Sequence, residues 1–237
     1  MPGVRSCQLA FVLAAASLCH AEAAERVDAL IVLAADVSRS ITSDKFELQR
    51  KGYAAAMSDP QVVAALQAGP AHRIAVAFVE WSGAASQTLV VDWTPIGSEA
   101  EAAAFGDKML HAPRAFADRT AIGSALTFAT GVLAHSPYPA DRRVIDLSGD
   151  GTNNAGDDVT AARDAALAGG VTTINGLVIL SDDTGPGYLR EHEHPPGGLQ
   201  AYYRQNVVGG VGAFVLVAQG FESFGRSLVA KLIQEIS

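Results

Sequence analysis

Apolar runs that stay apolar from end to end constrain this chain more than any other feature of it. VDALIVLA (27–34), RIAVAFVEW (73–81), RRVIDLS (142–148), TTINGLVIL (172–180) and GAFVLVA (212–218) all read as strands, and several are continuous rather than alternating. A strand carries that pattern when both its faces are covered, as in a parallel sheet between layers of helices. A further run, SQTLVVDW (86–93), follows the second after only SGAA. That is a hairpin-length loop, so this strand is placed antiparallel, at an edge. Helical patterns fill the intervals at 43–59, 98–111, 121–135, 157–169, 198–208 and 221–236. Ser98 and Glu101 form a capping box for the second helix, and Gly169-Gly170 closes the fourth. Strand–helix alternation over the whole length predicts an α/β fold in three layers, with a mostly parallel six-stranded sheet and one antiparallel edge strand.

The first two dozen residues do not belong to that pattern. Arg5 supplies a positive start, LAFVLAAASL (9–18) an apolar stretch, and Ala21-Glu22-Ala23 a small-residue cleavage site. These are the parts of an export signal, read here as residues 1–23. The apolar stretch is too short for a lasting membrane span, which takes about 20 residues. Cys19 is preceded by Leu18, where a lipid-attachment motif wants Gly or Ala, so acylation is not expected. Both cysteines, Cys7 and Cys19, fall inside the signal. The remaining domain, 24–237, is therefore expected to be exported, periplasmic or secreted, and to rest on its core without disulfides. Formal net charge is −8, and no basic run or stripe occurs, which argues against nucleic acid and anionic membranes as partners.

Beyond the carboxyl end of the first strand the chain reads AADVSRSITSDK, placing Asp36, Ser38 and Ser40 at alternate positions on a tight loop. Ligands of open parallel sheets bind at that end of the strands. One carboxylate and two hydroxyls make half of an octahedral oxygen shell, the kind a hard divalent cation takes. Two more loops end at the same edge: RTAIGSAL places Thr120 before a helix, and DLSGDGTNN places Asp150 after the fourth strand. Two acids and three hydroxyls from three distant loops form a candidate cation site.

With these residues in view, the sequence resembles a von Willebrand factor A domain, of Rossmann-like fold. The metal-ion-dependent adhesion site (MIDAS) of that family reads D-x-S-x-S, then T, then D. Asp36-Val37-Ser38-Arg39-Ser40 matches the first element, Thr120 the second and Asp150 the third. The likeness covers about 27–236. It extends to a bacterial family of exported A-like domains of unknown function through LQRKGYAAAM, AVAFVEWSG, RTAIGSAL, RRVIDLSGDGTNN, TINGLVIL and AYYRQNVVGGVGAF. The resemblance implies Mg²⁺, with Mn²⁺ as the alternative, bound by Ser38, Ser40 and Thr120 directly or through water. Asp36 and Asp150 would act largely through water, and one position would stay open for an acidic side chain or carboxylate of a protein partner. Ser148-Gly149 departs from the apolar–Thr pair more usual before the last aspartate. Asp146 competes for that role, but it falls within the strand and would be buried, so Asp150 is preferred.

Other readings stand beside this one. Asp36 and Ser38 could cap the first helix and close an Asx-turn, and Thr120 could be a plain N-cap. Asn153 and Asn154 are turn formers first. His192 and His194 alternate with Glu191 and Glu193 in REHEHPP; a zinc cluster is conceivable there, but a solvated loop is the expectation. Trp81 and Trp93 are expected to pack, and of Tyr202 and Tyr203 one should point inward. Gly209-Gly210-Val211-Gly212 precedes a strand and is no dinucleotide fingerprint. GDGTNN also resembles the acidic motif of Mg²⁺-dependent phosphatases of the haloacid dehalogenase type. Those need D-x-D on the first strand, and Ser38 stands where the general acid would be. A structural envelope subunit with an unused metal site is the remaining alternative.

Overall fold

The computed structural model describes residues 25–180, 192 and 194–236. The expected export signal and the stretch 181–191 lie outside the described residues, as do Glu191 and Glu193 of the REHEHPP motif. Strand β1 (Ala29–Asp36) is buried along its whole length. Its odd-numbered residues Ile31 and Leu33 pack with Tyr53, Phe105, Phe224 and Leu228 on one face of the sheet. Its even-numbered Leu30, Val32 and Ala34 pack with Ile122, Leu126 and Leu133 on the other. Burying one such side chain fully contributes about 1.5–3 kcal/mol, against about 1 kcal/mol for a helix cap, so the two-sided core dominates.

Around β1 the sheet runs β3 (Gln87–Ile96), β2 (Ile74–Trp81), β1, β4 (Arg142–Gly149), β5 (Thr173–Ile179). β7 (Val215–Ala218) lies parallel to β5 beyond it. β2, β4 and β5 are likewise parallel to their inner neighbours, and β3 is the antiparallel edge. Helices α1 (Ser43–Met57), α2 (Pro60–Leu66), α3 (Glu99–His111) and α7 (Phe224–Ile236) cover the first face; α4 (Ile122–Ala134) and α5 (Val159–Ala168) cover the second. The α/β reading holds, and the six expected strands are all present. Among the described residues no helix is long and apolar enough to cross a membrane.

Three local differences have physical causes. The expected helix 43–59 stops at Met57, because Asp59 caps a new helix whose first residue is Pro60; α2 was hidden behind that junction. The expected helix 198–208 is only a turn of α6 (Leu199–Tyr202) followed by a π-helical turn, Tyr203–Val207. A seventh strand, β6 (Gly209–Gly210), pairs antiparallel with Thr173 and Ile174 and is too short to show any periodicity. The Ser98–Glu101 box is present: Ser98 Oγ accepts from Glu101 N at 3.3 Å, and the Glu101 carboxylate accepts from Ser98 Oγ and Gly97 N, each at 2.9 Å. The outer strand β3 slips register against β2 at two places and contains Pro95 opposite Ala75.

Two ion clusters are buried beneath the first helical layer. Arg50 pairs with Glu80, both essentially without exposure. Lys231 pairs with both Asp146, at 2.5 Å, and Glu235. Asn175 Nδ2 donates to Glu235 at 2.8 Å.

Candidate cation site at the sheet edge

Asp36 is the last residue of β1, in register with Trp81 on β2, and the chain leaves the sheet there. Its Oδ1 accepts from Ser38 N at 2.7 Å, closing an Asx-turn that turns the next residues back over the strand end. Ser38 Oγ and Ser40 Oγ thereby come within 3.1 Å of each other. The expected cap role for this pair does not materialise, since Thr42 caps α1, its Oγ1 accepting from Lys45 N. Arg114 holds the loop from outside, donating to Val37 O at 2.7 Å and Ser38 O at 2.8 Å.

The third loop meets the first directly. Ser40 Oγ donates to Asp150 Oδ1 at 2.6 Å. Asp146 does not reach this place, because it is tied to Lys231 in the interior. The second loop is joined to the third: Asn154 N donates to Thr120 O at 2.8 Å, and Thr120 N donates to Asn154 Oδ1 at 2.9 Å. Asn153 Oδ1 accepts from Gly123 N at 3.3 Å, so both asparagines, expected as turn formers, instead pin the second and third loops together. Thr120 is not an N-cap. Ala121 holds that position without a side-chain bond. Ser40, Thr120, Asn154 and His192 line one cavity of about 300 Å³, with Arg39, Asp118 and Arg119 at its edge. All five candidate residues are buried: Asp36 at 0%, Ser38 and Asp150 at 1%, Thr120 at 2% and Ser40 at 8% exposure.

The electrostatics are those of two carboxylates confined together. Burial, then the charge of Asp150, pushes the Asp36 carboxyl up to about 8, while the Ser38 hydroxyl and the backbone N–H groups of Ser38 and Asp150 pull it down. Asp36 Oδ2 is buried without a hydrogen-bond partner among the described residues. A buried carboxylate oxygen left in that condition is costly, and a hard cation or its water would satisfy it. The donor set therefore fits the ion that the sequence implies. Among the described residues no group of three His, Cys, Asp or Glu could hold a metal; the oxygens gathered here belong to two carboxyls and three hydroxyls.

One of Tyr202 and Tyr203 was expected to point inward, but two placements at the site were not foreseen. Tyr203, set by the π-helical turn, is fully buried behind the site, its hydroxyl donating to Gly151 O at 3.4 Å. A Cβ on Gly149 would stand 2.5 Å from that hydroxyl and 3.1 Å from Asp36 Oδ2, which explains the departure from a Thr at this position. Gly149→Ala should lower stability by about 1–3 kcal/mol through overpacking, measured by urea unfolding, with part of the loss recovered in Gly149→Ala/Tyr203→Phe. An alanine variant as stable as the wild type would show that the phenol is not held there.

The second surprise corrects the solvated-loop expectation. His194 is exposed, but His192 is only 9% exposed and lies over the site, its Nε2 3.0 Å from Thr120 Oγ1 and its Nδ1 2.8 Å from Thr152 Oγ1. Burial lowers its pKa and so favours the neutral imidazole. A Cβ on Gly151 would collide with the ring, so that glycine makes the approach possible. Of the remaining aromatics, Trp81 is buried, Trp93 donates its indole N–H to Val132 O at 3.2 Å, and Tyr202 is half-buried where Tyr203 is fully so.

A mostly parallel sheet ordered β3-β2-β1-β4-β5 with β3 antiparallel at the edge, flanked by helices and carrying its loop cluster at the carboxyl edge, is the architecture of von Willebrand factor A domains. The chain belongs to a protein family of unknown function, DUF1194, whose model matches residues 26–237. Solved structures share the fold at low identity. Proximal thread matrix protein 1 of the mussel byssus, with a zinc-occupied MIDAS motif, aligns at TM-score 0.56 and 16% identity over 89% of this chain and 48% of that one. The pilus adhesin SpaC from Lactobacillus rhamnosus GG, in an open conformation, gives 0.60 and 15% over 90% of this chain and 31% of its own. A von Willebrand factor type A protein from Catenulispora acidiphila gives 0.53 and 17%, over 89% and 43%. The chain thus spans less than half the length of each. No curated protein matches the sequence.

Proposed function

We propose that this chain is an exported, non-enzymatic binding module that captures an acidic group of a protein partner through a Mg²⁺-loaded MIDAS. The observation that carries the reading is the junction of Asp36, Ser38, Ser40 and Asp150, with an unsatisfied buried oxygen on Asp36. Ser38, Ser40 and Thr120 would offer hydroxyl oxygens to the ion, and Asp36 and Asp150 would hold it through charge and water. When bound, the ion would supply the local positive charge that draws a partner's carboxylate. That locality matters, because the chain as a whole carries −8 and repels acidic ligands at long range. Arg39, Asp118 and Arg119 border the same cavity; Arg39 stands 3.6 Å from the Asp118 carboxylate, so the three together leave one net positive charge. The relatives in fold include an adhesin and a matrix protein of the byssus, which favours adhesion over catalysis.

The test is affinity capture from the envelope fraction of the source organism, with Mg²⁺ and again with EDTA. A partner retained in Mg²⁺ and released by EDTA is the expected result. Partners that stay bound in EDTA would overturn capture through the ion and leave a structural subunit.

A further inference from the structure

The ring of His192 occupies a defined place in the site, and its tautomer follows from its neighbours. Asn154 Oδ1 accepts from Thr120 N at 2.9 Å, which fixes the orientation of that amide. The other end of the amide, Nδ2, can only donate, and it faces His192 Nε2 at 3.5 Å. An N–H on Nε2 would face those amide hydrogens, so the contact favours the tautomer with Nε2 bare and the proton on Nδ1, 2.8 Å from Thr152 Oγ1. It follows that the 3.0 Å contact between Thr120 Oγ1 and His192 Nε2 has the threonine hydroxyl as donor. Thr152 holds the histidine a second time, its backbone N donating to His192 O at 3.1 Å.

We propose that His192 is a positioning residue for the cation site: its Nε2 accepts the hydrogen bond of the Thr120 hydroxyl, leaving the lone pairs of that oxygen to face the ion. This rests on the cation reading above and adds to it a nitrogen base in a site otherwise built from oxygens. A hydroxyl whose proton is held by a base is a better and better-aimed donor than one free to rotate. Gly151, by lacking a Cβ, and Thr152, next to it, are the parts of the third loop that let the ring approach and keep it there.

Calorimetric titration of the purified chain with Mg²⁺ and, separately, with Zn²⁺ tests the inference. His192→Ala should weaken both ions about 10–100-fold, the usual effect of losing an outer-shell partner. His192→Gln, whose amide oxygen can accept the same hydrogen bond, should recover part of that loss. In a Thr120→Ala background the histidine substitution should cost nothing further, since its partner is already gone. Equal Mg²⁺ affinity in wild type and His192→Ala overturns the inference and leaves the cation site standing. So does an undiminished loss in the Thr120→Ala background. A loss confined to Zn²⁺ also overturns it, because it would make the imidazole a direct ligand. A wild-type chain that takes up neither ion sinks the cation reading itself, and this inference with it.

Discussion

Adding about 10 mM Mg²⁺ to the purified chain should raise its melting temperature by about 5–10 °C. For an ion bound by the folded state alone, with a dissociation constant of about 0.1 mM, mass action stabilises by about 2.7 kcal/mol, and a domain near this size gains about 2–4 °C per kcal/mol. Asp150→Asn should abolish the shift while leaving the ion-free protein equally stable or firmer. The asparagine oxygen can still accept from Ser40 Oγ, which now bonds Asp150 at 2.6 Å. The change also removes the charge that, with burial, drives the Asp36 carboxyl to about 8. Differential scanning fluorimetry with Mg²⁺, Mn²⁺ and Ca²⁺ reads both effects. No shift with any of the three counts decisively against a metal site. An ion-free Asp150→Asn protein that melts far below wild type would make Asp150 a structural acceptor instead.

The interior cluster should respond even more strongly. Lys231 has no exposure and stands between Asp146 and Glu235, themselves at 0% and 2%. Lys231→Met leaves two carboxyl groups buried without their cation, a loss of about 3–5 kcal/mol, or about 6–20 °C. Melting within a few degrees of wild type would refute this account of the cluster. The same cluster predicts a pH slope. Burial, then the charge of Asp146, raises the Glu235 carboxyl from 4.5 to about 8, so Glu235 is chiefly the neutral acid in neutral solution. A folded-state value above the unfolded one gives stability that is full below about pH 4.5 and lost as pH climbs through about 8. Glu235→Gln copies the protonated form, so its urea midpoint should fall less steeply than that of the wild type between about pH 6 and 9, the remaining slope coming from Asp36, whose carboxyl also stands at about 8. Parallel profiles would place the proton elsewhere.

These residues also show what a sequence discloses. Continuous runs such as ALIVLA announce a strand covered on both faces, and the five hydroxyl and carboxyl positions stand out because D-x-S-x-S, Thr120 and Asp150 each follow an identifiable strand or open a helix. Asp146 was separable from Asp150 by burial cost alone. Boundaries were harder where two helices abut: SDPQ contains both the end of α1 and the Asp59–Pro60 start of α2, and periodicity runs through it unbroken. His192 was illegible for a different reason. Its neighbours in REHEHPP are charged and look solvated, whereas the groups that bury it, Thr120, Gly151 and Thr152, lie 40 or more positions away along the chain. Tyr203 is the same case: only a π-helical turn, which no side-chain pattern announces, aims its ring beneath Gly149.

The outermost strand carries a last implication. β3 twice loses step with β2, and Pro95 has no N–H to offer a newcomer. Irregular borders of this kind discourage a foreign polypeptide from extending the sheet. That flank is thereby poorly suited to self-stacking, and under the proposed reading this leaves recognition to the recess at the strand ends, where chemistry rather than backbone pairing would select the guest.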